Sequence, residues 1–470
     1  MLPEICIALG AILVLIMQLI VPERGALVKR WFALAVLAVG VYLVQENSVD
    51  GEYLNGILWQ DYTIRNIKVF MLMVTGLVLL FPNTRTLYSQ GEYLFFVLMI
   101  LLGAMVVIQT TNLLIFYLGI EIVSITSYIL IAFGFKKEGF EAGIKYLLFG
   151  ALSSGIMLYG ISLIYGLSGS LQVSDLLFVN TSSLSSNMWL VAAISMFGVG
   201  LLFKLALAPM HIWTPDVYQA GPTAIVGYLS VIPKVAVLTF ILSFLTFSGL
   251  GSIDWDWQLV LVVVAIASMT IGNFSALRQS NIKRLMAYSS IAHAGFLLVG
   301  VVAGGDFGVQ TTLFYLFVYG LMNLSSFYFI AIVEKDGVER VDQLAGLGRS
   351  MPVTGVAILI VMVALVGLPP TSGFTAKLLI FSSLWQAYAQ EGDAFMLVLM
   401  VVGILNAGVS LFYYLKIPYF MFVKAASGEM KKSVATTDVL GMTFLAFLVL
   451  LIFFKPDLLL NILNQARFAF

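Results

Sequence analysis

The hydrophobic positions of this chain fall in long unbroken runs, with no alternation of apolar and polar residues. Apolar stretches of about 17–25 residues recur from end to end, the length an α-helix needs to cross a bilayer core. Fourteen can be placed, at 3–21, 30–45, 66–82, 93–109, 113–135, 144–166, 189–208, 223–248, 257–278, 284–303, 310–333, 351–389, 395–423 and 435–454. Runs without a period of two exclude a membrane β-barrel. The expected fold is therefore an all-α polytopic membrane protein with about 14 transmembrane helices. The twelfth run is over-long because Gly367-Leu368-Pro369-Pro370 must interrupt it, leaving two half-segments. Pro209, Pro215 and Pro222 interrupt the chain between the seventh and eighth runs in the same way, and Pro233 lies inside the eighth. The start, MLPEICIALG, lacks the basic region of a cleaved signal and reads as the first membrane helix.

Charge tests this topology. Only 10% of the 470 residues are charged and 61% are hydrophobic, which excludes a soluble domain. Net charge is zero and there is no basic arm, so no nucleic-acid partner is expected and lipid is the solvent. Sixteen of the 24 basic residues fall on one set of alternating loops: Arg24, Lys29, Arg30, Arg85, Lys136, Lys137, Lys145, Arg278, Lys283, Arg284, Lys335, Arg340, Arg349, Lys424, Lys431 and Lys432. The other set and the termini hold Arg65, Lys68, Lys455 and Arg467, amid acids such as Asp50, Asp61, Asp175, Asp254 and Asp306. The positive-inside rule puts the basic loops in the cytoplasm and both termini outside.

Four basic residues remain, well inside spans: Lys204, Lys234, Lys377 and Lys416. Of the acids only Glu121 lies as deep, with Glu4 and Asp438 at span edges. A charge at the bilayer centre costs about 2.5–3.5 kcal/mol on the insertion scale, so such residues mark an ion or proton path. Helix 5 carries Glu121 and helix 10 carries His293. Helices 7 and 12 are broken and carry Lys204 and Lys377; helices 8 and 13 carry Lys234 and Lys416. That recurrence divides the chain into a three-helix segment at 1–90, a first repeat at 91–250 (helices 4–8), a second at 251–425 (helices 9–13) and a C-terminal helix at 426–470. Two five-helix repeats have opposite orientation, the inverted-repeat plan of secondary transporters.

Each residue has a functional and a plainer reading. A Glu121–Lys204 pair can switch between ionic and neutral forms as protons pass, or simply fix helix packing. Lys204, Lys234 and Lys377 can carry protons, or bond carbonyls freed by the breaks. Lys416 lies near the cytoplasmic edge and could instead snorkel. His293 is a proton relay or a packing histidine, and His211, in the first break, could line an inlet. Lys145 is either a positive-inside anchor or a group reaching toward Glu121. The one cysteine, Cys6, reads as a small buried hydrophobe, and no CxxC or GxGxxG marks a metal, iron–sulfur or dinucleotide site.

The stretches YLGIEIVSITSYIL, IKYLLFGALSSGIMLYGISLIYG, FKLALAPMHIWTPDVY, NIKRLMAYSSIAHAGF and GLPPTSGFTAKLLIF closely resemble the subunit N family of the bacterial proton-pumping NADH–quinone oxidoreductase, complex I. The resemblance runs from about residue 90 to 425. These antiporter-like subunits are related to multisubunit Na+/H+ antiporters. The resemblance implies fourteen helices with inverted repeats and a proton path through Glu121, Lys204, Lys234 and Lys377, with His293 and Lys145 as further family positions. It also implies a bacterial inner membrane and neighbouring membrane subunits, with a hydrophilic redox arm as a more distant partner. NADH, FMN, iron–sulfur clusters and quinone would sit on other subunits, with no cofactor on this chain. Two details depart from the family: Ala220-Gly221 stands where Gly-Ala is usual, and Thr375-Ala376 where Ile-Gly precedes the lysine.

Overall fold

The structure, a computed structural model, describes residues 1–20, 25–46, 50–82, 92–178, 184–248, 256–425 and 434–463. Of the charges that set the topology, Arg24, Arg85, Asp254, Lys431, Lys432 and Arg467 lie outside these residues.

Helices follow the apolar runs. They are α1 (Leu2–Ile20), α2 (Ala26–Glu46), α3 (Tyr62–Leu79), α4 (Glu92–Gln109), α5 (Leu113–Ala132), α6 (Lys137–Ser168) and α7 (Leu184–Leu205), then the short α8 (Thr214–Ala220). There follow α9 (Thr223–Leu229), α10 (Ile232–Phe247), α11 (Trp257–Leu277), α12 (Ile282–Ala303), α13 (Gly305–Glu334), α14 (Pro352–Val366), α15 (Ser372–Glu391), α16 (Ala394–Phe422), α17 (Thr436–Phe454) and α18 (Asp457–Leu463). Counting α9 and α10 as one span, thirteen among the described residues are long and apolar enough to cross a membrane. The twelfth run adds another as the pair α14 and α15, divided where Gly367 and the two prolines stand. The short run at 30–45 is a full helix from Ala26, and the sixth span starts earlier than its apolar run, at Lys137.

Two local features differ from the expectation. The eighth span is two helices: Pro233 has no N–H to continue the ladder, and the chain turns at Ser230 and Val231 before α10 begins. A small antiparallel hairpin, β1 (Gly51–Tyr53) with β2 (Leu58–Gln60), also joins α2 to α3, where the run pattern indicated only a loop. Thr110 and Thr111 of the α4–α5 turn bond to it through Ile57 and Gly56 carbonyls.

Burial sorts the spans. The α9–α10 pair and α13 are wholly enclosed across their most apolar windows and α12 nearly so, while most of the windows of α16 and α17 are part-buried or exposed. Large apolar side chains such as Leu148, Leu152, Leu405 and Phe412 stand exposed on the outer helices, where acyl chains replace water as solvent. Small residues set close approaches. A Cβ on Gly160 of α6 would come within 2.6 Å of the Phe197 backbone nitrogen of α7, so only glycine lets these two helices pack at that distance.

Candidate functional site

The first interruption builds the setting of Lys204. α7 ends at Leu205; Ala206 takes a positive φ of 59°, and the Ala208–Pro209 bond is cis. Freed backbone groups find partners: the Leu207 N–H donates to Leu202 O (2.9 Å), the Ala208 N–H to Ser268 Oγ of α11 (2.9 Å), and Trp213 Nε1 to Phe203 O (3.3 Å). Lys204, one residue before the helix end, has a buried side chain. Its Nζ donates to Ser124 Oγ at 2.5 Å and to Ser154 Oγ at 3.5 Å, and lies 3.9 Å from Glu121 Oε1. Ser154 donates to the same carboxylate oxygen at 2.5 Å. Glu121 and Ser124 are one turn apart on α5 and so share a face. The acid and the lysine are thus joined both directly and through the Ser154 hydroxyl, while Ser124 passes its own proton to Ile120 O, and the expected pair is present.

Lys234 occupies the first turn of α10, immediately after Pro233. Its Nζ donates to Ser290 O (2.6 Å) and Ser290 Oγ (2.7 Å) of α12 and lies 5.4 Å from the centre of the Tyr319 ring. Ser290 Oγ also meets the hydroxyls of Tyr319 (2.8 Å) and Tyr218 (3.3 Å). Tyr319 donates to Ser230 O (3.2 Å), a carbonyl released where the eighth span breaks. One turn along α12, His293 is fully partnered: Nδ1 to Tyr315 (2.9 Å) and Nε2 to Tyr414 (3.0 Å), the latter also bonded to Ser289. His293 lies within electrostatic reach of both Lys234 and Lys377.

Lys377 stands at the second interruption. Gly367, with φ +86°, ends α14, and the Leu368 N–H reaches back to Val363 O. The last carbonyls of α14 would otherwise be orphaned. Lys377 Nζ takes them, donating to Val366 O (2.6 Å) and Leu365 O (3.3 Å). A Cβ at residue 367 would lie 2.7 Å from Lys377 Cδ, so glycine is needed there for both φ and space. The Phe296 ring centre is 4.8 Å from the ammonium. The break thus survives Ala376 where a glycine is usual.

The secondary candidates separate. Lys145 is half-exposed and pairs with Glu141 (2.8 Å) and Asp216 (3.7 Å), so it does not meet Glu121; Arg284 holds the same Asp216 at 2.6 Å. Lys416 donates to Gln279 O, just past the end of α11, at 3.1 Å. His211 lies in the turn after the cis bond, half-buried. Among the described residues no group of three His, Cys, Asp or Glu side chains could hold a metal ion.

Two ion pairs, one buried and one part-buried, were not legible as such. Lys68, counted among span-edge charges, is fully buried inside α3, and Glu4 is buried with it. Its Nζ reaches Glu4 Oε1, Gln60 Oε1 and Gln109 Oε1, each at 2.6 Å, using all three protons. Beside it Asp61 caps α3 through the Ile64 N–H (2.7 Å), and burial pushes its carboxyl up to about 6. Lys283 pairs with Glu334 at 3.1 Å and donates to Gly221 O at 3.0 Å; this pair borders a cavity of about 450 Å³ at the end carrying Lys136 and Glu339. The signal for both was a lysine less than two turns inside an apolar helix.

A helical bundle interrupted after Leu205, at Ser230–Val231 and at Gly367, with a buried lysine beside each break, is a membrane protein of the transporter type. The comparisons narrow this. The profile of the NADH:quinone oxidoreductase/Mrp antiporter membrane family matches residues 110–406, and the chain belongs to that family. It is 35% identical to NADH-quinone oxidoreductase subunit N of Pelagibacter ubique, over 99% of this chain and 98% of that one. It is 37% identical to subunit N 2 of Chloroherpeton thalassium, over 88% and 79%. Among solved structures, a chain of respiratory complex I from Thermus thermophilus superposes with a TM-score of 0.80 at 26% identity, covering 98% of each chain. A chain of the Mrp complex from Dietzia gives 0.83 at 21% identity, over 98% and 96%, a likeness of fold alone.

Proposed function

We propose that this chain is the subunit of a bacterial NADH–quinone oxidoreductase that moves protons across the inner membrane while neighbouring subunits pass electrons from NADH to quinone. The observation that carries the reading is the Lys204 site: an ammonium buried at a helix break, 3.9 Å from Glu121 and bonded to the serine that also bonds that carboxylate. Such a cluster has two stable proton arrangements, which a shift of either helix can bias. From it the path runs to Lys234, through Ser290 and its tyrosines, past His293, to Lys377 and the outer side. Among the described residues no direct hydrogen bond joins the Lys204 cluster to the Lys234 cluster, or His293 to Lys377, so water completes these gaps. Buried oxygens without a protein partner, Asn323 Oδ1 and Ser372 Oγ, are of the kind that order such water.

The cavity beside Lys283 and Glu334 is the inlet on the cytoplasmic side, and both termini are outside. The segments 91–250 and 251–425 are inverted repeats, supported by the matched breaks before Pro209 and Pro369. NADH, FMN, iron–sulfur clusters and quinone are held by partner subunits, and other membrane subunits flank this one. The second reading, a cation/proton antiporter subunit without a redox partner, is favoured by the family description itself and by the likeness of fold to the Mrp chain. The test is Lys204→Ala in membrane vesicles. The proposal expects fewer protons taken up per NADH oxidised. Unchanged stoichiometry, or sodium-driven proton exchange that needs no NADH, overturns it.

A further inference from the structure

Among the described residues no hydrogen bond joins the Lys204 and Lys234 clusters, but one short helix is tied to the surroundings of both. α8 stands apart from α7 and α9 because Pro209, Pro215 and Pro222 interrupt the chain around it. Just before it, Trp213 donates to Phe203 O, the carbonyl next to Lys204, and stacks on Tyr146 of α6 with ring centres 4.2 Å apart. Residues two apart on a helix point about 200° apart, so Asp216 and Tyr218 lie on opposite faces of α8. Asp216 is part-exposed and reaches Arg284 of α12 at 2.6 Å and Lys145 of α6 at 3.7 Å; Arg284 also donates to Gln219 Oε1 at 3.2 Å. Tyr218 is buried, its ring edge-on to Phe327 and its hydroxyl 3.3 Å from Ser290 Oγ. The two helices that grip Asp216 are thus the ones that carry Ser154 and Ser290.

The bonds at Ser290 can all be made at once in only one arrangement. Tyr319 gives its proton to Ser230 O and so accepts from Ser290 Oγ, which itself accepts from Lys234 Nζ. A hydroxyl has one proton and two lone pairs, so Tyr218 donates to the lone pair that is left. When Lys234 releases a proton its nitrogen becomes an acceptor, and the Ser290 proton, on an oxygen 2.7 Å away, can turn toward it. The Tyr218 bond keeps the Ser290 oxygen supplied with a donor in both arrangements. At 3.3 Å it is the longest of the three side-chain bonds to Ser290 Oγ, and the first to be lost if α8 shifts. We infer, resting on the proton path proposed above, that Asp216 is a positioning residue for proton release from Lys234. By holding α8 to α12 and α6 at the surface, it keeps the Tyr218 hydroxyl on Ser290.

The test measures protons taken up per NADH oxidised by membrane vesicles holding the whole complex, with native gels reporting its assembly and Lys204→Ala run in parallel. Asp216→Asn should lower the ratio about two- to five-fold, the range of a part-exposed ion pair, and Asp216→Glu should restore it. Tyr218→Phe should lower it as well. Asp216→Asn added to Tyr218→Phe should cost nothing further, because the hydroxyl that Asp216 positions is already gone; a carboxylate that only steadies the fold would give losses that add. If Asp216→Asn does not assemble, Arg284→Gln, which removes the 2.6 Å contact and keeps the carboxylate, decides with the same expectations. Where Lys204→Ala lowers the ratio, a wild-type ratio in Asp216→Asn, or additive losses in the double variant, overturns the role of Asp216 alone. Where Lys204→Ala leaves the ratio unchanged, the proton path has failed and the role of Asp216 falls with it.

Discussion

Glu121→Gln keeps the size and hydrogen-bonding reach of the side chain and removes only its charge, which makes it the sharpest perturbation of the Lys204 site. Two unit charges 3.9 Å apart attract by about 1 kcal/mol in bulk water and about 4 kcal/mol at an effective dielectric of about 20. Lys204 is 5% exposed and Glu121 is 22% exposed, so the pair lies between these limits. Even about 1.4 kcal/mol is a factor of ten in the balance between paired and separated states. If the pair is the element through which the rest of the complex acts on Lys204, protons taken up per NADH should fall about ten-fold or more. The assay is proton uptake by vesicles, read beside NADH-driven quinone reduction in the same preparation. A double-mutant cycle sharpens it: Glu121→Gln added to Lys204→Met should cost nothing further, because the partner is already gone. Full pumping by Glu121→Gln, or strict additivity of the two changes, would refute the reasoning and leave the carboxylate a packing group.

Other sites give outcomes of different kinds. Tyr414→Phe deprives His293 Nε2 of its partner, so if His293 relays protons, adding His293→Gln to it should lower pumping little beyond either single change; independent losses would show that the two do not act as one unit. Lys68→Met leaves buried Glu4 with only the Met1 ammonium, 3.3 Å away, and the yield of folded chain should fall by less than the about 3–5 kcal/mol of a wholly unpaired buried charge, with Glu4→Gln restoring part of it. Asp61 has its folded value raised from 3.8 to about 6, so burial costs nothing below about pH 4, where the carboxyl is neutral in both states, and up to about 3 kcal/mol above pH 6. Stability should therefore fall as pH rises through that window, and Asp61→Asn, which keeps the cap on Ile64, should flatten the thermal-melting profile. Lys416→Gln removes the hydrogen bond to Gln279 O beyond the end of α11 and should change pumping less than about two-fold, the scale of a surface hydrogen bond.

The spans were readable because a bilayer imposes one length and forbids unsatisfied backbone, so the apolar run is nearly the helix itself. Boundaries slipped where charged residues extend a helix past the hydrocarbon, as at Lys137, and where a proline only partly disrupts a run, as at Pro233. Glu121 and Lys204 were legible as solitary charges in apolar surroundings. Lys68 was not, because its position near a span edge is also where an interfacial lysine belongs; only the packing of α1 and α4 against α3 shows that Glu4, Gln60 and Gln109 close over it. Ser124, Ser154, Ser290, Tyr315 and Tyr414 were hidden for a different reason. Hydroxyl side chains are common in membrane helices, and most bond their own backbone, as Ser127 and Ser325 do here.

The structural reading of the buried lysines leaves room for the proposed functional one. A helix that stops within a membrane leaves carbonyls that hydrocarbon cannot satisfy, and Lys377 satisfies two of them at the end of α14. An ammonium held only by neutral oxygens is held by dipoles, which weaken little when the proton leaves compared with an ion pair. Lys234 is in the same state, on Ser290 O and Ser290 Oγ, whereas Lys204 alone of the three has a carboxylate at hand. On the path proposed above, the first lysine is the one that an outside signal addresses through charge, and the other two serve as relay positions whose protons follow. Removing a carbonyl partner is not possible by substitution, but the hydroxyl is: Ser290→Ala should slow transfer at Lys234 and leave the Glu121–Lys204 pair intact. The order of control along the path follows from which lysine was given an acid.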